Sequence, residues 1–385
     1  MDNPFTGPFF SLSLFPFAFP LSLLLPVIVS RIRARGPITV AEFMELALYH
    51  PEFGYYSRSP RRSGRTGDFY TNVDVGPIFG ELIAVQLAEM WALLGGGTSF
   101  DLVEAGAGNG RLARDIMDAA SREHPEFYDR IRLTLVERSV NARAACADTL
   151  GPHVARLVNS TDRLPGSITG AIVANELLDA LPVHVITMTT DGLREIAVAE
   201  RDGTLMEVEI PLSNPALEAP VTLEVGDRME VAVAAMDWIG DAAAALDRGF
   251  VLLFDYGFEA SPSHARAHPR GTLMAYRAHR AEPRDWLAHP GEMDLTTHVD
   301  LEAVRGAAHR AGLDDLGIVD QTYFLLGLGL TSRVETGDDP HAVKQRLSAR
   351  TLIMPGGLGS TIKAMAFAKG VGRPTLRGMS AGRLT

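Results

Sequence analysis

Along the chain the rhythm of apolar and polar positions changes twice. Over 38–48 the apolar residues Phe43, Leu46 and Ala47 share one helical face, and Thr39 with Glu42 three residues on reads as a capping box. A second helix is expected over 77–94, burying Ile78, Leu82, Val85 and Leu87, with Gly95-Gly96-Gly97 ending it. From Phe100 short apolar runs alternate with helical ones, the pattern of a parallel sheet with helices between its strands. Strands are expected at 100–104, 131–137, 154–158, 171–174 and 249–257, and a last one at 362–368. Between about 183 and 230, alternation as in Leu205-Met206-Glu207-Val208-Glu209-Ile210 predicts β-hairpins inserted into that sheet.

The first thirty residues stand apart. From Asn3 to Ser30 there is no charge, yet prolines at 4, 8, 16, 20 and 26 break any membrane-length helix. A secretory signal needs a basic start and a small-residue cleavage site, and neither is present. The expected organisation is a disordered hydrophobic leader over 1–30, a helical cap over 31–97 and an α/β domain over 98–369 with its insertion. The Gly-, Pro- and Arg-containing residues 370–385 are expected to be a disordered tail.

Composition narrows the function. The 385 residues are 46% hydrophobic and 22% charged, a soluble globular balance. A net charge of −11 disfavours nucleic acid as the main partner, since phosphates demand a clustered basic face. Membrane contact is expected only through the leader, if at all. Cys146 is the one cysteine, so no intrachain disulfide or cysteine zinc site forms; a reducing compartment fits and a cytoplasmic location is expected. Cys146 itself reads as a small buried thiol on an alanine-rich helix. No zinc-type histidine spacing occurs, and no metal is expected.

Candidate chemistry begins at Glu104-Ala105-Gly106-Ala107-Gly108-Asn109-Gly110, between an expected strand and an expected helix. Gly106, Gly108 and Gly110 permit a tight reversal, and the helix start presents free N–H groups. A dinucleotide loop would place its third glycine where Arg111 stands. Glu104 suits the ammonium group of S-adenosylmethionine (SAM) and would repel the pyrophosphate of NAD. Glu137, ending the second strand, is placed to receive both ribose hydroxyls of an adenosine. The segment Asn175-Glu176-Leu177-Leu178-Asp179-Ala180-Leu181-Pro182 leaves a buried strand at the sheet's carboxyl edge, where ligands of open α/β sheets bind. Asn175 is assigned to the cofactor. Glu176 and Asp179 could clamp a guanidinium; alternatively Asp179 caps the next helix while Glu176 pairs with a nearby base. His298 reads either as a general base or as a hydrogen-bonded structural residue.

Several motifs in order resemble one family: Tyr49-His50-Pro51-Glu52-Phe53-Gly54-Tyr55-Tyr56, Gly67-Asp68-Phe69-Tyr70-Thr71, Phe79-Gly80-Glu81, the Glu104 loop and the 175–182 segment. Asp255-Tyr256-Gly257, Gly271-Thr272-Leu273-Met274-Ala275-Tyr276-Arg277 and Pro290-Gly291-Glu292-Met293-Asp294-Leu295-Thr296-Thr297-His298-Val299-Asp300 complete the set. The chain is similar to the MidA-type methyltransferases, whose mitochondrial members are the complex I assembly factor 7 proteins. The resemblance implies a class I, Rossmann-like SAM-methyltransferase fold with an N-terminal helical cap. It implies symmetric dimethylation of a protein arginine, with a respiratory complex I subunit as the candidate partner. By the same resemblance Gly67, Asp68 and Thr71 line the SAM pocket, and Asp294, Thr296 and His298 lie near the active cleft. Two departures stand out: Gly106-Ala107-Gly108 where the family has Gly-Pro-Gly, and Asn72-Val73-Asp74 where it has Ser-Pro-Glu. A SAM-binding assembly factor without turnover and a small-molecule methyltransferase remain the alternatives.

Overall fold

The computed structural model describes residues 22–58, 71–215, 217–219, 221–277, 280–281, 285–334 and 336–381. Seven strands build the central sheet: β1 (Phe100–Ala105), β2 (Ile131–Val136), β3 (Leu157–Thr161), β4 (Ile168–Asn175), β5 (Leu246–Phe258), β6 (Asp314–Asp320) and β7 (Ile362–Lys369). Their spatial order is β6-β7-β5-β4-β1-β2-β3, and the short strand Val299–Asp300 pairs in parallel with the end of β5. The pairings from β5 to β3 are parallel, while β7 runs antiparallel to both β5 and β6. Order reverses between β1 and β4, and a crevice opens there at their carboxyl ends.

Burial on both faces explains why the inner strands read as continuous apolar runs. Successive residues of β5 go to opposite layers: Phe250, Leu252 and Phe254 join one core, Val251 and Leu253 the other. Helices Ile78–Leu93 and Arg111–Glu123 cover the first face; Val233–Ala245 and Leu301–Arg310 cover the second.

The inserted segment forms a separate antiparallel sheet ordered Ile38–Thr39, Gly192–Arg201, His184–Thr189, Arg228–Val231, with Thr204–Ile210 paired to Gly192–Arg201. Ile38 of the N-terminal region therefore enters a sheet made almost wholly of the insertion. Phe43, Met44 and Leu48 of helix Val40–Tyr49 pack with Val185, Val198, Trp286 and Leu295 in one core. The third sheet, Arg280–Ala281, Met274–Arg277 and Asp294–Thr296, adjoins it. At the start of helix Val40–Tyr49, Thr39 Oγ1 accepts from the Glu42 N–H at 3.1 Å, one half of the expected box.

Three expectations are corrected. Helix Leu25–Arg35 begins inside the supposed leader: Pro26 sits in its first turn, where no N–H is needed, and Leu24, Ile28 and Ile32 are buried. Residues 1–21 lie outside the described residues. The stretch 154–158 is mostly a 3-10 turn, Gly151–Arg156, started by Pro152; the strand begins at Leu157, on the sheet edge, and Val154 and Val158 are exposed. Residues 370–381 of the supposed tail are folded, ending in helix Arg377–Ser380 with Leu376 and Met379 in the core. There the Gly378 N–H donates to Gln86 Oε1 at 3.0 Å and the Arg377 N–H to Glu89 Oε2 at 3.0 Å.

Truncation after Thr375 removes two fully buried apolar side chains, Leu376 and Met379. Urea unfolding is expected to show a loss of about 4 kcal/mol, at about 1.5–3 kcal/mol per buried residue. A midpoint unchanged from the full chain would contradict this placement.

Candidate active site

The turn after β1 is held from below. The Ala107 N–H donates to Val136 O at 3.1 Å and the Gly110 N–H to Ala107 O at 2.8 Å. Gly106, Gly108 and Gly110 have φ of 70°, 53° and 83°, left-handed values that favour glycine. A Cβ added at Gly108 would meet nothing within 4 Å, so this glycine faces open space. Glu137, just past β2, closes the other side: Oε2 accepts from the Gly108 N–H at 3.0 Å and Oε1 from the Ser139 N–H at 2.7 Å. Each oxygen keeps a second lone pair for a ligand hydroxyl. Glu104 is buried, and its Oε2 accepts from Ala113 N–H at 2.9 Å in the first turn of the following helix. Burial pushes the Glu104 carboxyl up to about 8 against that bond.

The cap reaches this crevice through Thr71 to Val75. Asp74 Oδ2 accepts from the Thr71 N–H and hydroxyl, and Asp74 Oδ1 pairs with Arg111 at 2.9 Å. Asn72 is fully buried; its Nδ2 donates to Asn175 Oδ1 at 2.9 Å, and its Oδ1 accepts from Gln321 Nε2 at 2.9 Å. Its N–H donates to Glu176 Oε1 at 3.1 Å. Of the departing residues in the cap, Asn72 thus bonds directly to the 175–182 segment and Asp74 to Arg111, the first residue of the helix after the cofactor loop.

That segment turns sharply after β4. Glu176 has φ of 52°, a costly conformation for a side chain of this size. Asp255, at the end of β5, holds the turn: its Oδ2 accepts from the Leu177 N–H at 3.1 Å and the Leu178 N–H at 2.7 Å, and Oδ1 from the Tyr256 N–H at 2.9 Å. Around it gather three further carboxyls, Glu176, Asp179 and Asp294, the last receiving the Tyr56 hydroxyl at 2.8 Å. Burial raises Glu176 to about 8 and Asp255 to about 7. Asp179 rises well above its ordinary value, through burial first and then the charges of Asp255, Glu176 and Asp294. Tyr49, Tyr56, Tyr256 and Tyr276 wall the same space, each phenol pushed up mainly by burial. Tyr49 also carries the Arg138 guanidinium 4.1 Å from its ring centroid.

One cavity of about 1890 Å³ joins the glycine loop and Glu137 to this acidic end. A drug-sized ligand fills roughly 300–1,000 Å³, so cofactor and acceptor side chain fit together. Of the residues expected at the site, Thr71, Glu104, Gly106, Gly108, Glu137, Asn175, Glu176, Asp179 and His298 line it. So do Asp294 and Thr296, while Gly110 stays behind the loop, against Leu135 and Cys146. Gly67 and Asp68 lie outside the described residues. His298 is exposed at the rim, its N–H donating to Thr272 Oγ1 at 3.0 Å, and burial followed by His268 holds its ring below the ordinary value. Asp179 does not cap a helix: its backbone carbonyl accepts from the Thr297 N–H at 2.9 Å. Among the described residues no basic side chain pairs with Glu176 or Asp179. The sequence reading missed Asp162 and Trp238, which line the cavity beyond Glu137. Asp162 follows β3, and the misplaced strand at 154–158 concealed that position at the sheet's carboxyl edge.

Residues 82–319 match the family described as "Putative S-adenosyl-L-methionine-dependent methyltransferase". The Bos taurus protein named protein arginine methyltransferase NDUFAF7, mitochondrial, is 30% identical over 85% of this chain and 79% of its own. Its Drosophila melanogaster homolog is 29% identical over 89% of this chain and 84% of its own. A crystal structure from Burkholderia thailandensis, bound to S-adenosyl-homocysteine, superposes with a TM-score of 0.85 at 29% identity, covering 93% of this chain and 95% of that one. Both named relatives are mitochondrial, which overturns the cytoplasmic placement. A low cysteine count reports redox environment only and does not separate one reducing compartment from another.

A Cβ at Gly108 meets no protein atom within 4 Å, so Gly108→Val projects its side chain toward open cavity space at a strained backbone angle. Calorimetry is expected to show SAM affinity reduced at least about 100-fold, with unfolding shifted by only about 1–3 kcal/mol of backbone strain. Wild-type affinity in this variant would remove the loop from the cofactor site.

Proposed function

The chain belongs to this family of S-adenosyl-L-methionine-dependent methyltransferases, and we propose that it methylates an arginine of a protein. One observation carries the acceptor: Glu176 and Asp179 enter a tyrosine-walled chamber beside the cofactor loop with no basic partner among the described residues. A guanidinium is the cation that matches it, since its planar fork suits carboxylates and its faces suit aromatic rings. The names of the curated relatives support the same acceptor. By the resemblance to the assembly factor 7 proteins, the product is symmetric dimethylarginine and a respiratory complex I subunit is the candidate partner.

Thr71, Glu104, Gly106, Gly108, Glu137 and Asn175 are the residues that hold the cofactor, with Gly110 shaping the turn beneath it and Gly67 and Asp68 assigned by resemblance. When bound, SAM supplies an electrophilic methyl group on a sulfonium. Glu176 and Asp179 orient the guanidinium so that one terminal nitrogen faces that methyl, and orientation of this kind lowers the barrier most. Glu176 Oε1 is occupied by Asn72 and Asn175, which leaves Oε2 to receive the proton that the methylated nitrogen sheds. A carboxyl raised to about 8 is a competent base near neutrality. His298, at the rim, exchanges that proton with water.

Because Glu176 sits at about 8, it is largely protonated in the free enzyme at pH 6 and cannot clamp a cation. kcat/KM for the protein acceptor is expected to rise about 100-fold between pH 6 and 8.5, with the limb set by loss of that proton. Glu176→Gln is expected to cut kcat by about 10²-fold or more while leaving SAM binding intact. A flat profile over this range would count against the carboxylate clamp. The substrate assignment is checked by methyl-proteomics in a strain lacking the gene. A methylarginine should disappear and return with wild type but not with Gly108→Val; an unchanged methylarginine inventory, or a loss confined to small molecules, would sink the reading.

A further inference from the structure

Glu230 lies on strand Arg228–Val231, at the edge of the inserted sheet, and does not line the cavity. Its Oε1 accepts from the Thr272 N–H at 2.8 Å and the Leu273 N–H at 3.0 Å, and Oε2 from the Thr272 hydroxyl at 3.1 Å. The Thr272 oxygen accepts in turn from the His298 N–H at 3.0 Å. The turn is shaped around the carboxylate: Gly271 has φ of 79°, and a Cβ there would stand 2.2 Å from Glu230 Oε1. Two further ties join the same strand to the segment 269–286 around that turn. The Arg228 N–H donates to Pro269 O at 2.9 Å, and Glu207 both pairs with Arg228 at 2.7 Å and accepts from Trp286 Nε1 at 3.1 Å.

Beyond the turn, Met274 pairs with Thr296 and Tyr276 with Asp294 across the small sheet. Those four residues and Thr272 line the cavity next to the 175–182 segment, where the Thr297 N–H donates to Asp179 O at 2.9 Å. We infer that Glu230 is a positioning residue for methyl transfer: through the Gly271–Thr272–Leu273 turn it fixes the acceptor wall, and the inserted sheet is the part that carries this clamp. The inference rests on the acceptor reading above. It assigns the insertion a catalytic consequence without contact to either substrate.

The test uses the full chain with Glu230→Ala and Glu230→Gln. Three quantities are measured: tritium transfer from labelled SAM to arginine in protein from a strain lacking the gene, SAM affinity by calorimetry, and hydrogen exchange over 271–277 and 294–298. In Glu230→Ala the transfer rate should fall about 100-fold, as a displacement near 1 Å at the acceptor would produce. SAM affinity should stay within about twofold, and exchange should quicken in those two segments but not over 104–110. The glutamine amide oxygen still accepts from both N–H groups, so Glu230→Gln should stay within about tenfold of wild type. Wild-type transfer by Glu230→Ala would overturn the clamp; so would equal loss in both variants, or a parallel loss of SAM affinity. Should wild type label no arginine, the acceptor reading fails, and the exchange contrast between alanine and glutamine still decides the clamp.

Discussion

Four carboxyl groups crowded at one place, three lining the chamber and Asp255 behind the 175–182 turn, set the terms for the rest of this structure. Burial and the neighbouring charges of Asp255, Glu176 and Asp294 together raise Asp179, so ionising one of these groups makes ionising the next harder. They are retained by donors from different parts of the chain. Backbone N–H groups of Leu177, Leu178 and Tyr256 hold Asp255, the Asn72 N–H holds Glu176, and the Tyr56 hydroxyl holds Asp294. The carboxyls come from the end of β4 and the turn after it, from β5 and from the small sheet, and their donors include the cap. The three layers must therefore meet at one place for the chamber to exist. What they enclose is a shortage of positive charge, which the guanidinium proposed above would fill.

Features written in contiguous residues were legible in the sequence. Strand β1, the glycine loop and the helix from Arg111 follow one another within about two dozen residues, and their signals are local. The inner strands β4 and β5 were legible because burial on both faces leaves an unbroken apolar run. Edge strand β3 was not, since its outward Val158 and Val154 of the preceding 3-10 turn resemble core positions in a linear reading. Helix Leu25–Arg35 was hidden by its chargeless surroundings and by Pro26, which counts as a breaker unless its first-turn position is known. The acidic chamber was only half legible. Glu176 and Asp179 lie in one motif, but Asp255 reaches them across 76 or more positions of chain, as in its bonds to Leu177 and Leu178, and no local pattern encodes that approach.

The departure over Asn72-Val73-Asp74 has a structural account at its two ends. Asp74 ties the cap to Arg111 at the start of the cofactor helix, and Asn72 binds Asn175, Glu176 and Gln321 from a fully buried position. Cofactor loop, cap and acceptor turn are thereby one hydrogen-bonded unit. A disturbance at the cap reaches the Glu176 carboxyl through a single N–H.

Glu176 holds a left-handed backbone at φ 52°, where glycine would rest without strain. Glycine at this point would relieve about 1–2 kcal/mol of strain but leave the buried Asn72 N–H without its acceptor, at a cost of about the same size. The chain instead keeps a residue that resists its own conformation. Asp255 and the Asn72 N–H are the counterweight, and their geometry is tuned to a turn that would relax if either let go. Strain and anchorage therefore sit in the same residue: the bonds that offset this one backbone angle end on the Glu176 side chain itself, so the angle cannot be relaxed by glycine without also releasing the cap from the turn.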